Sequence, residues 1–177
     1  MQRIVLTFGL IGGGVLALMM FATLPFTEQI GFDRGAIVGY TTMVLAFLMV
    51  YFGVRSYRDT VAGGSLTFGR ALQVGLLITA VITICYVVTW QVMYYGFMPD
   101  FLDRYTANAL EKARLGGASE ADLAQQSRDL RDFAVMYQNP LVNIAFSLLE
   151  PLPVGLVFTL VTAGVLGRKK RPDGADA

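Results

Sequence analysis

Apolar residues in this chain gather into four long blocks, separated by short polar stretches and one long amphipathic one. The first block runs from Ile4 to Leu24 and stops at Pro25. The second covers Ala36–Val54, the third Leu72–Phe97 and the fourth Leu141–Leu166. Each approaches or exceeds the about 20 residues that an α-helix needs to cross a bilayer. The first block is longer than the ~7–15-residue apolar region of a secretory signal, and no small-x-small site clearly follows it, so a retained helix is expected.

The polar stretch 98–140 has a helical period rather than the look of a linker. Asp100–Leu115 places Phe101, Leu102, Tyr105, Ala109 and Ala113 on one face, with most charges opposite and Lys112 as the exception. Asp100 and Arg104 stand at i,i+4 in the favourable order. Gly116-Gly117 ends this helix. Ser119 then caps another, with Glu120 and Asp122 in its first turn. Leu123, Leu130 and Tyr137 recur at seven-residue spacing, with Ala134 beside them. The expectation is a helical hairpin, Asp100–Gln138, closed by Asn139-Pro140. It serves either as a lid on the helix ends or as a partner-binding or interfacial element. The fold class that follows is all-α: a polytopic membrane protein of four transmembrane helices, with an external, periplasmic hairpin between helices 3 and 4.

Composition supports that pattern. Of 177 residues, 55% are hydrophobic and only 15% charged, with mean hydropathy +0.56. Soluble domains carry about 25% charged residues. A formal net charge of +1 gives no field for nucleic acid. The bases are distributed unevenly. Arg3, then Arg55, Arg58 and Arg70, then Arg168, Lys169, Lys170 and Arg171 fall on one side; Arg34, beside Glu28 and Asp33, is alone in the short loop of the other. The bias predicts cytoplasmic termini, an outward hairpin and a basic cytoplasmic tail over 167–177. The expected partners are membrane lipids, with Arg55, Arg58, Arg70 and 168–171 as headgroup anchors. Gly9 and Gly13 form GxxxG in the first span, and Gly35 and Gly39 flank the second. Both read as packing motifs, within one chain or in a homo-oligomer.

Candidate chemistry is sparse. There is no His, and Cys85 stands alone, so neither a cofactor nor a metal site is expected. Gly63-Gly64 lacks the following Lys-Ser/Thr of a phosphate loop. With no nucleophile elbow and no paired metal-ligand motif, the chain reads as non-enzymatic. What remains is a polar stripe in the fourth span. Asn143, Ser147 and Glu150 share one helix face, and Pro151 and Pro153 follow directly. A carboxylate in such a stretch is by default a functional hypothesis. On the third span Thr79, Thr83, Tyr86, Trp90 and Tyr94 lie near one face, and its Trp and Tyr fit an interfacial belt. Gln91 wants a partner at its depth, and Glu150 is the expected one; Tyr86 or a bound ligand is the alternative for the acid. The candidate site is therefore Gln91, Asn143, Ser147 and Glu150, for a cation, an amine or a lipid headgroup. The competing expectation is an accessory or scaffolding subunit in which Glu150 only locks helices together and the hairpin docks a partner; a small transporter lies between the two, and four spans without an internal repeat count against it.

Several motifs, taken in order, carry a resemblance. They are Tyr51-Phe-Gly-Val-Arg-Ser-Tyr-Arg-Asp59, Gly63-Gly-Ser-Leu-Thr-Phe-Gly-Arg-Ala-Leu-Gln-Val-Gly75, Met98-Pro-Asp-Phe101, Asn139-Pro140 and Glu150-Pro-Leu-Pro-Val-Gly155. The chain resembles the "domain of unknown function 4199" family of small bacterial four-helix inner-membrane proteins over nearly its whole length. The resemblance implies four membrane helices and an external hairpin. It implies no known reaction, so no catalytic residue follows from it.

Overall fold

The computed structural model describes residues 1–26 and 31–167, and every regular element among them is helical. Helix α1 (Gln2–Thr23) ends in a 3-10 turn, Leu24–Phe26. Helices α2 (Phe32–Thr60) and α3 (Phe68–Gly96) follow, then the short pair α4 (Phe101–Leu115) and α5 (Glu120–Tyr137). The chain closes with α6 (Pro140–Leu149) and α7 (Pro151–Leu166), two halves of one span. Four segments are long and apolar enough to cross a membrane: Gln2–Thr23, Asp33–Thr60, Phe68–Gly96 and Pro140–Leu166. Their outward side chains, such as Leu10, Ile37, Ile84, Val88, Leu160 and Val165, are exposed and apolar, as a lipid-facing surface requires.

Successive spans run antiparallel. The Phe21 ring meets the Phe97 ring edge to face, and Lys112 bonds Asp33. The end of α1, the start of α2, the end of α3 and the hairpin therefore share one end of the bundle. Arg3, Arg55, Arg58 and Arg70 lie at the other. The basic cluster 168–171 lies outside the described residues.

Small side chains bring the spans close. A Cβ on Gly9 would stand 2.6 Å from the Val81 side chain, and one on Gly13 would stand 2.5 Å from Cys85 Cβ. The GxxxG of α1 is thus a packing stripe against α3 within the same chain. Gly155 of α7 lies against Thr79 and Phe47 in the same way, and Thr79 Oγ1 meets Thr159 Oγ1 at 2.9 Å. Phe47, Val50, Val54, Val74, Ile78 and Ile82 fill the buried centre of α2 and α3. Gly39 differs: a Cβ there would meet nothing within 4 Å. Within the chain no helix lies against Gly39, so the pair does not bring two of its own helices together at this position.

The reason is the break in the fourth span. Pro151 has no N–H, so the Ser147 carbonyl loses its usual helical donor and the helix divides at Glu150. Below the break, α7 packs on both α2 and α3. Above it, α6 packs on α3 and α5. The start of α2 and α6 thus diverge, and the hairpin spans the gap.

The hairpin is built as its sequence dictates. Ser119 and Asp122 form a reciprocal capping box. Gly117, at φ +83°, makes the left-handed turn between α4 and α5. Arg104 Nη2 bonds Asp100 Oδ2 at 2.6 Å. Asn139 caps α6 by accepting from the Leu141 N–H at 3.0 Å, with Pro140 at the first helical position.

Candidate functional site

The polar groups of α3 and α6 pair at two levels. Near the hairpin, Gln91 Nε2 donates to Asn143 Oδ1 at 2.7 Å. Asn143 is fully buried, and Ser147 Oγ donates to its backbone carbonyl at 2.7 Å. Deeper in the bundle, the Tyr86 hydroxyl donates to Glu150 Oε2. The expected Gln91–Glu150 pair is therefore replaced by two others. Register explains it. Gln91 and Tyr86 are five residues apart on α3, and Asn143 and Glu150 are seven apart on the antiparallel α6. The two levels are separated by roughly 8–10 Å of helix rise, so the upper amide meets the upper amide and the deeper hydroxyl meets the deeper acid.

The four residues chosen from sequence thus divide. Ser147 and Glu150 line a chamber of about 670 Å³ between α2, α6 and the hairpin, whereas Gln91 and Asn143 stand behind it as an inter-helix brace. Ligand pockets typically measure ~300–1,000 Å³. On the α2 side Gly35, Ala36 and Gly39 line it, and a Cβ on Gly39 would meet nothing within 4 Å. Leu16 and Met20 of α1 and Met43 of α2 make the floor apolar. The remaining wall is aromatic: Tyr40, Tyr86, Trp90, Tyr105, Tyr137 and Phe146 all border the space.

The roof rests on Trp90. Its Nε1 donates to the Tyr137 hydroxyl at 3.1 Å, and its ring meets Phe101 edge to face at 5.2 Å. Tyr94 also lies under the hairpin, 5.6 Å from the Tyr137 ring. Trp90 and Tyr94, expected in an interfacial belt, also hold the hairpin. Burial pushes the Tyr137 phenol above its ordinary range. A second tie, Lys112 to Asp33, fastens α4 to the start of α2. Neither Asp33–Lys112 nor Tyr137 was singled out from sequence as a site residue. The available signal was Lys112 itself, the one charge on the hairpin's apolar face.

Among the described residues, three charged side chains border the chamber: Asp33, Lys112 and Glu150. The first two satisfy each other. Glu150 takes the Tyr86 hydroxyl on one oxygen, and its other oxygen takes no hydrogen bond among the described residues.

At the far end the arginines are engaged locally. Arg58 Nε bonds Asp59 Oδ1 at 2.7 Å and Arg55 Nε stands 3.7 Å from Asp59 Oδ2, so the neighbouring arginine takes the acid more closely than the i,i+4 one. Arg70 Nε donates to the Tyr57 hydroxyl at 3.3 Å and its Nη1 to Gln73 at 2.8 Å. No group of three or more His, Cys, Asp or Glu placed to hold a metal occurs among the described residues.

A family model described as "Protein of unknown function (DUF4199)" matches residues 7–168. No curated protein and no solved structure matches the chain.

Proposed function

We propose, for a chain that belongs to the DUF4199 family of proteins of unknown function, the role of a non-enzymatic integral membrane protein that binds a small ligand beneath its hairpin. The ligand is a cation, an amine or a lipid headgroup. The observation that carries this reading is the chamber itself: about 670 Å³, bordered by Glu150 and Ser147 and roofed by α4 and α5. A buried brace needs no such space. Gln91–Asn143 and Tyr86–Glu150 would hold α3 to α6 equally well with α2 packed against them. In this reading the protein resides in a bacterial inner membrane with both termini cytoplasmic. The hairpin faces outward, and Arg55, Arg58, Arg70 and the 168–171 cluster anchor lipid headgroups.

A second reading, a scaffolding subunit, draws on the same two inter-helix bonds, which would make Glu150 purely a lock. Quenching of Trp90 by acrylamide in lipid nanodiscs separates the two. Trp90 is the chain's one tryptophan and borders the chamber. An accessible binding chamber gives efficient quenching that Gly39→Leu suppresses by filling the space. Equal quenching in both proteins favours the scaffold.

A further inference from the structure

We propose that the chamber recognises an organic ammonium group carrying an apolar body; this rests on the reading of the chamber as a ligand site. Charge comes first. Asp33 and Lys112 neutralise each other at the rim, so among the described residues the charge left facing the space is that of Glu150. Its position is fixed by the Tyr86 hydroxyl on one oxygen, which leaves the second oxygen for a ligand. An anion would meet that acid with no free base opposite it among the described residues.

Hard metal cations fit poorly as well. Calcium takes about 6–8 oxygen ligands, and magnesium requires an octahedron. With Asp33 taken by Lys112, Glu150 is the one carboxylate left among the described lining residues, and no group of three His, Cys, Asp or Glu converges there.

Aromatic walls are what an organic cation uses. A ring face carries partial negative charge, and recognition of quaternary ammonium groups rests on several such rings around one cation. Tyr40, Tyr86, Trp90, Tyr137 and Phe146 border the same space as Glu150. The apolar floor of Leu16 and Met20 then receives the rest of the molecule. Two sources share this chemistry: a free amphiphilic amine and the ammonium headgroup of a membrane lipid.

The test uses the full chain in nanodiscs with Trp90 emission as the readout. The probe is benzyltrimethylammonium, and its uncharged carbon isostere, neopentylbenzene, is the control at matched membrane concentration. The cation should perturb Trp90 saturably and bind at least about tenfold more tightly than the isostere. Glu150→Gln should remove that preference, and Gly39→Leu should weaken both compounds. Discs of phosphatidylglycerol alone are compared with discs containing phosphatidylethanolamine. Weaker probe binding in the latter assigns the site to a lipid headgroup, and equal binding assigns it to a free amine; both support the proposal. Equal binding of cation and isostere would overturn the ammonium assignment while leaving a ligand chamber. No saturable response to either compound would overturn both readings.

Discussion

The Tyr86 hydroxyl donates to the Glu150 carboxylate across α3 and α6, a level deeper in the bundle than the Gln91–Asn143 pair. This bond sets which oxygen of the acid is engaged and which is left for the chamber. Inter-helix hydrogen bonds in membranes average ~0.6 kcal/mol, with a maximum near 1.7. The double-mutant cycle Tyr86→Phe with Glu150→Gln should show coupling in that range by reversible unfolding in detergent. Gln91→Leu with Glu150→Leu should be additive, because the two groups belong to different levels. The opposite pattern would mean that the register is wrong.

Gln91→Leu and Asn143→Leu should each destabilise the bundle more than the double variant does relative to either single one. Each single change strands a polar amide in an apolar setting, and the double removes both. A double variant as unstable as the sum of the two would show that the amides have other partners.

Glycines on α1 and α2 should respond oppositely. Gly13→Leu must displace Cys85, and Gly9→Leu must displace Val81. Overpacking of this kind costs about 1–3 kcal/mol. Gly39→Leu should be neutral or stabilising, since it enters open space and relieves the entropy cost of a helical glycine. Thermal unfolding of the three variants ranks them, and a severely destabilised Gly39→Leu would mean that α2 packs there after all.

The Tyr137 phenol gives a pH dependence for the hairpin. Its folded pKa is raised by burial, so the unfolded chain loses the proton first as pH rises. The contribution to stability is complete below the ordinary tyrosine value of about 10 and is lost as pH climbs from there toward the folded value. Hydrogen exchange of α5 amides should therefore accelerate at alkaline pH in the native chain more than in Tyr137→Phe. Identical profiles would remove Tyr137 as the cause.

Much of this fold was legible in the chain because its signals are local. The four apolar blocks, the Ser119 cap, the Asp100–Arg104 pair and the Gly-Gly turn each depend on residues within one helix length. The site was only half legible. Periodicity placed Asn143, Ser147 and Glu150 on one face, and Tyr86 and Trp90 on another, but it does not set the axial register between helices. That register assigned Gln91 to Asn143. Nor does periodicity show a void. Gly39 reads like Gly9 and Gly13, yet the break at Pro151 leaves it beside the chamber with no helix of the chain against it. Nor does the spacing show that the hairpin, more than 40 residues further on, places Tyr137 over Trp90.

Cysteine chemistry at Gly39 tests the chamber most directly. In a Cys85→Ala background, Gly39→Cys places a thiol where a Cβ meets nothing within 4 Å, on the wall that faces Glu150. A cationic trimethylammonium thiosulfonate added from the hairpin side should modify this thiol faster than a lipid-facing control such as Ile84→Cys. Benzyltrimethylammonium should protect it, and adding Glu150→Gln should slow the modification. A thiol at position 39 that reacts no faster than the lipid-facing control, and that the ammonium compound does not protect, would contradict a ligand chamber at this end of the bundle.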